Sequence, residues 1–232
     1  MTSDTLQGVP VLAIDGPSGS GKGTISRQVA HALAWHFLDS GALYRMAGLA
    51  AQRAGIVDAA DGRLAAIAAG LDAQFVPDIG GDERILLGGE DVTDSLRTEE
   101  CGRLASGIAA VPAVRQALLG LQRGFRRPPG LVADGRDMGT TVFPDAFLKV
   151  FLTASAATRA QRRHKQLKDK GIDVSLARLS RDIEERDQRD SERSVAPLRA
   201  ADDARLLDSS NQTIAEVTRT VLDWALERLP AR

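Results

Sequence analysis

Cysteine is almost missing from this 232-residue chain: Cys101 stands alone, so no disulfide framework can hold the fold. Asparagine is as scarce, with Asn211 the single instance, and no Asn-Lys-x-Asp element for reading guanine can be written from it. Aromatic residues make up 4% of the chain, too few to interleave with basic side chains into a stacking platform for nucleic acid. Every apolar run is far shorter than the ~20 residues a membrane helix needs. The opening MTSDTLQGVP carries neither a basic n-region nor an apolar h-region, so no secretory leader is expected and a cytoplasmic location is. His31, His36 and His164 show no ligand spacing among themselves or with Cys101, so a structural metal is not expected. Cys101 itself reads as a packing residue on a helix face rather than a nucleophile. With 22 glycines and 9 prolines the chain is neither collagen-like nor low-complexity.

What remains is an ordinary globular composition, 43% hydrophobic and 26% charged, long enough for one substantial core with a smaller insertion. The net charge of −1 argues against a bulk nucleic-acid coat, but charge is unevenly spread. Residues 55–100 hold three basic against eleven acidic side chains, whereas 101–158 hold seven against three and 159–193 eleven against eight. An acidic block followed by two arginine-rich ones points to a local anionic ligand.

The hydrophobic pattern predicts an α/β fold with about five parallel strands, and the glycine loop over 16–22 read with it makes this a three-layer P-loop fold. Val11–Ile14, Trp35–Leu38, Leu131–Ala133, Phe147–Leu152 and Leu206–Leu207 read as strands, with Lys149 suggesting a partly exposed end to the fourth. Helices are predicted over 24–34, 42–54, 61–69, 98–110, 113–126 and 214–229, the last burying Ile214, Val217, Val221, Leu222, Ala225 and Leu229. Between Leu71 and Val92 the period changes to two, and the turn clusters Asp78–Asp82 and Gly88–Gly89 predict a small antiparallel insertion. Two polar helices, Ala156–Lys168 and Leu176–Arg189, have few large apolar residues and read as a helical lid. The expected organisation is a core of 1–39, 103–158 and 195–232, a monophosphate-binding domain over 40–102 holding the insertion, and a lid over 159–194.

Gly16–Pro17–Ser18–Gly19–Ser20–Gly21–Lys22 fits GxxxxGK and lies where that motif must, after a buried strand and at the start of a helix. Its glycines let successive backbone N–H groups turn inward on a phosphate, the helix end adds partial positive charge, and Lys22 supplies an ammonium for the β- and γ-phosphates. The position after the lysine, usually Ser or Thr, is Gly23, and the hydroxyl comes one place later in Thr24. Mg²⁺ is therefore expected to be held through water near Thr24 and Asp134 rather than directly. The chain is too short for a motor.

Arg45, one helical turn beyond Gly41, can reach a phosphate held near the helix start, or can be a solvated helix arginine. Asp134–Gly135–Arg136–Asp137 closes another strand, where open α/β sheets carry ligand loops. There Asp134 suits the Mg²⁺ water shell, Arg136 a second phosphate and Asp137 a base amino group, the competing reading being an N-cap. Arg186, Arg189, Asp190 and Arg193 share a helical stripe, and Arg159, Arg162 and Arg163 lie on the preceding helix. The two rows are expected to repel until phosphates come between them, unless neighbouring carboxylates satisfy them.

DGPSGSGKGT at 15–24, LDSGALYR at 38–45, VADGRDMGTTVFPDA at 132–146 and ERDQRDSERSVAPL at 185–198 together resemble the bacterial cytidylate kinases. The resemblance spans Val11 to about Leu229, and the insertion resembles the extra antiparallel sheet of those enzymes. It implies phosphorylation of CMP and dCMP by ATP with Mg²⁺. By matching motif it implies ATP-phosphate contacts from Gly16 through Ser18, Ser20, Gly21, Lys22 and Gly23 to Thr24, with Ser40 by the cytosine and Ser106 and Arg115 reading it with Asp137. Arg45, Arg136 and Arg193 would grip the monophosphate, and Arg186 and Asp190 the ribose. Lys22, Arg136, Arg193 and Arg162 are the catalytic candidates. No nucleic-acid, membrane or protein partner is called for, and the chain is expected to act as a monomer. The rival readings are a P-loop kinase for UMP, dTMP or shikimate, and a nucleotide sensor that transfers phosphate only to water.

Overall fold

A computed structural model describes residues 8–56, 62–77, 83–169 and 171–229. The apolar run Val11–Asp15 forms strand β1, buried at every position. Such a run suits a parallel strand covered on both faces. It lies at the centre of a five-stranded sheet ordered β2 (His36–Asp39), β6 (Leu131–Gly135), β1, β7 (Leu148–Thr153) and β8 (Arg205–Asp208). Every pairing is parallel, so the five-strand expectation holds. After β1 the chain leaves for β2 on one side and later returns as β7 on the other. The C-terminal ends of β1, β6 and β7 therefore border the crevice where such sheets bind ligands.

Helix α1 (Lys22–Leu33) follows the glycine loop and lays Ile25 and Val29 on the sheet beside Leu12, Ile14, Leu148 and Val150. The closing helix α9 (Ile214–Arg228) adds Val217, Val221 and Ala225 to that core. Its first turn is fixed by a capping box in which Thr213 Oγ1 accepts from the Glu216 amide and Glu216 accepts from the Thr213 amide. Two more helices, α7 (Ala156–Asp169) and α8 (Leu176–Ser191), bury only Leu167, Leu179 and Ile183 among their large apolar residues.

The chain divides into two compact units, one drawn from Met1–Asp39 with Arg123–Arg232 and the other from Ser40–Gln122. The second has its own core. Tyr44, Ala47 and Ala51 of α2 (Ser40–Arg53) and Leu64 and Ala68 of α3 (Arg63–Ala69) pack with Ala105 and Ile108 of α5 (Glu99–Ile108) and Val114 and Leu118 of α6 (Pro112–Arg123). A separate antiparallel sheet is formed by β3 (Ala73–Pro77), β4 (Glu83–Leu87) and β5 (Glu90–Asp91). Gly88 and Gly89 both take positive φ, 59° and 83°, in the two-residue turn between β4 and β5. The predicted turn over 78–82 lies outside the described residues.

Two expectations need correction. Lys149 is not at an exposed end: its side chain is buried and its Nζ donates to Asp203 Oδ1 at 2.9 Å. Ile214 is 48% exposed rather than buried, because it stands in the first turn of α9 and lines a cavity beside the glycine loop. Two short elements carry no periodic signal: α4 (Thr93–Leu96) and a π-helical turn at Met138–Val142.

Candidate active site

The glycine loop spans β1 and α1. Gly16 has φ 154°, and a Cβ there would lie 2.0 Å from the Leu152 carbonyl oxygen, so the loop can hug β7 only with glycine at that position. Lys22 is buried and donates to the Pro17 carbonyl at 2.9 Å. From outside the loop, Arg159 donates to the Ser18 carbonyl at 3.0 Å and Arg162 to the Ser20 carbonyl at 3.3 Å.

Burial, reinforced by the positive Arg136 and by Arg186, lowers the Lys22 pKa to about 7 despite the nearby Asp134 and Asp39. At pH 8 most of the ammonium has then given up its proton, and an arriving triphosphate restores it. ATP binding at pH 8 is expected to draw about one proton from solution, falling away below pH 6 where Lys22 already holds it. Calorimetry in two buffers of different ionisation enthalpy reads this number, and Lys22→Met should abolish it. Equal uptake by that variant would place the proton elsewhere.

Asp134 closes β6 beside the lysine. Burial pushes its pKa up to about 7 against the pull of Lys22, and its Oδ1 is buried without a hydrogen-bond partner. An orphaned carboxylate oxygen near a phosphate loop fits an outer-shell role toward a hydrated divalent cation. Thr24 lines the cavity beside the glycine loop. A Cβ on residue 23 would stand 3.3 Å from Asp134 Oδ2, so the glycine after the lysine leaves this carboxylate its room. Among the described residues no group of three or more His, Cys, Asp and Glu is placed to cage a metal, so the donor set suits an ion held largely by phosphate and water.

Arg136, just beyond Asp134, donates from Nε to Asp190 Oδ2 at 3.0 Å, and Arg193 donates to the other oxygen of Asp190. Asp190 is 1% exposed. Its burial alone would raise the pKa, but Arg136, Arg193 and Arg186 together hold it below the usual carboxylate range. The expected bare arginine rows are therefore corrected. Arg159 of α7 is paired with Asp187 of α8, and Arg162 donates to Ser209 Oγ and to the Ser209 carbonyl. Carboxylates interleaved with the arginines, and carbonyls at the loop, remove the mutual repulsion. Arg189 projects away from that cluster, exposed, with its Nε on the Glu185 carbonyl.

Asp137 is buried at the start of the π-helical turn. The segment that carries it is held by Asp15, which sequence reasoning passed over. The two oxygens of Asp15 accept from the amides of Met138 and Gly139, each at 2.8 Å. Burial outweighs the pull of those two amides and leaves the Asp15 pKa raised to about 7.

In the second unit, Ser40 opens α2 and donates to Gln122 Oε1 at 2.8 Å, both residues being buried. Arg45 donates to the carbonyls of Leu96 and Thr98. Arg115 donates to the Ala109 carbonyl at 3.2 Å and lies 5.7 Å from the centre of the Tyr44 ring. Ser106 is buried on α5, its hydroxyl without a hydrogen-bond partner. Cys101 is buried as expected, its Sγ 3.5 Å from the Arg45 carbonyl, and burial pushes the thiol pKa up.

A cavity of about 590 Å³ adjoins the loop, walled by Gly19–Ile25, Arg162, Arg163 and residues 212–214. Its far wall, formed by Gln212, Thr213 and Ile214 at the start of α9, was not foreseen from the sequence. Among the described residues no single helix is long and apolar enough to cross a membrane.

The family model described as "Cytidylate kinase" matches residues 12–227. A cytidylate kinase of Methylococcus capsulatus is 61% identical over 214 residues, covering 92% of this chain and 96% of the relative. Those of Nitrosococcus oceani and Pseudomonas aeruginosa are 56% and 58% identical, covering 93% and 92% of this chain and 96% and 94% of theirs.

Proposed function

The chain belongs to the cytidylate kinase family and moves the γ-phosphoryl group of ATP to CMP or dCMP, giving ADP and CDP or dCDP, and we propose the following division of labour among its residues. The glycine loop from Gly16 to Thr24 takes the ATP phosphates, and the adjoining cavity takes the adenosine. Lys22 leaves the Pro17 carbonyl for the phosphate oxygens. Arg136 and Arg193 grip the acceptor's phosphate, and Asp190, released from them, serves the ribose with Arg186. Asp137 reads the base. From the second unit, Arg45 serves the phosphate, and Ser40, Ser106 and Arg115 serve the base.

An oxygen of the CMP phosphate attacks the γ-phosphorus, and the bond from that phosphorus to the bridging oxygen of ADP breaks. No side chain needs to act as a general base, because the transfer depends on positioning and charge compensation. Lys22, Arg136, Arg193 and Arg162 compensate that charge. Mg²⁺, which the reaction requires, supplies further charge compensation on the phosphates when bound, with its water shell held by Asp134 and Thr24. By role we assign 159–194 as the lid, 40–102 as the monophosphate-binding domain, and 1–39, 103–158 and 195–232 as the core, although by compactness 103–122 packs with the second unit. The enzyme acts as a cytoplasmic monomer in this reading.

The observation that carries the assignment is the gathering of Arg136, Arg186 and Arg193 around one buried carboxylate, with Arg136 and Arg186 close enough to Lys22 to depress its pKa. Such a concentration of positive charge matches two phosphate groups brought together. Measuring ADP formation across CMP, dCMP, UMP, dTMP, AMP, GMP, shikimate and no acceptor tests it. Fast turnover with CMP and dCMP and weak turnover with UMP is expected. Another preferred acceptor would overturn the base assignment.

A further inference from the structure

Ser40, assigned to the base above, has only one proton to offer, and that proton is already committed. Its hydroxyl donates to Gln122 Oε1 at 2.8 Å. A serine hydroxyl has one donor and two acceptor lone pairs, so a hydroxyl fixed in this way can only accept from a further partner. Both side chains are removed from solvent, at 3% and 2% exposure, so water does not compete for the bond. Gln122 lies near the end of α6 and Ser40 at the start of α2, 82 positions apart, so the bond also joins two helices of the second unit.

We infer that Gln122 is a specificity-determining residue: by holding the proton of Ser40, it makes that hydroxyl an obligate acceptor, which favours an acceptor base carrying an amino group over one carrying a carbonyl at the same position. Cytosine and uracil differ in that way, the first presenting an exocyclic N–H₂ and the second a carbonyl oxygen. Facing uracil, two acceptors would meet with no proton between them. A buried mismatch of that kind discriminates more strongly than a lost apolar contact does. Gln122 acts through Ser40 and need not touch the substrate itself. The inference rests on the placement of Ser40 at the base proposed above.

The test compares kcat/KM for CMP and for UMP in Gln122→Leu, Gln122→Glu, Ser40→Ala and the Ser40→Ala/Gln122→Leu double variant, each checked by thermal melting. Leucine keeps the volume and removes the acceptor, which frees the serine proton to turn toward a carbonyl. The CMP-to-UMP ratio is expected to fall about tenfold in Gln122→Leu, in part through a gain on UMP. Gln122→Glu retains a carbonyl acceptor and should keep the ratio within about threefold of the parent. In the Ser40→Ala background, Gln122→Leu should change the ratio no further, because the proton it controls is gone. An equal loss on both substrates in Gln122→Leu would show a merely structural contact and overturn the inference. So would a ratio shifted by Ser40→Ala and untouched by Gln122→Leu. A ratio indifferent to Ser40→Ala would instead overturn the placement of Ser40 at the base.

Discussion

Replacing Lys22 by methionine is expected to lower kcat/KM by about 10³-fold, the range seen when a preorganised charge on a transferring phosphoryl group is removed. Methionine matches the length of the lysine stem and leaves the buried packing intact, so the loss is one of charge. The direction of the Lys22 pKa adds to the argument. Burial and two arginines disfavour the positive form of this group and hold its pKa near 7. The enzyme therefore surrounds the lysine with an environment that only an anion makes comfortable, and its charge is restored where the triphosphate lies. The same variant should melt close to the parent, because the desolvation cost of a buried amine is removed while the Pro17 carbonyl loses its donor. Initial rates with saturating CMP, together with a melting curve, check both statements. A residual rate within tenfold of the parent would exclude Lys22 from the transfer.

Arg136→Met should lower kcat/KM for CMP by about 10²-fold or more while leaving ATP affinity nearly unchanged, as expected when a charge-assisted contact that tightens in the transition state is lost. In the structure, the Arg136 guanidinium is tied through Nε to Asp190 Oδ2 and through one terminal nitrogen to the Gly135 carbonyl. In the reading proposed above Asp190 stands in for an anionic substrate group, and its pairing leaves the arginine oriented and largely buried before CMP arrives. Asp190 would still keep Arg193 as a partner after the substitution, so the fold should tolerate it. Steady-state kinetics with CMP varied, and ATP binding measured separately, distinguish the two substrates. An unchanged kcat/KM for CMP would remove Arg136 from the phosphate site.

The sheet, the glycine loop and the antiparallel insertion were legible because each rests on local pattern: a short apolar run, a glycine cluster before a helix, a change of period at Leu71. Arg136 and Asp134 were legible because strand ends in open parallel sheets carry ligand loops. Asp15 was not. It looks like the polar end of a strand, and its partners are backbone amides 123 and 124 positions further on, which bear no side-chain signal at all. Gln122 was hidden for a related reason, since a glutamine late in a helix reads as solvated until tertiary packing buries it. Lys149 misled in the opposite direction. A lysine in a strand argues for exposure, but Asp203 meets its ammonium at the surface while the stem stays inside. The arginine-rich helices were the most ambiguous stretch. Composition gives both repelling rows and a paired network, and only the positions of Asp187 and Asp190 choose between them.

Three carbonyls of the glycine loop are held in place: that of Pro17 by Lys22, that of Ser18 by Arg159 and that of Ser20 by Arg162. A peptide plane cannot rotate half a turn while its oxygen is gripped, because that rotation would carry the oxygen toward the ligand and the amide away from it. Arg159, held also by Asp187, need not move when nucleotide enters. Lys22 has to let go, and so does Arg162 if it is to turn toward the phosphates as proposed. Most of the work of arranging the amides around an anion is thus done at folding, and nucleotide meets a receptor whose ordering entropy has already been spent.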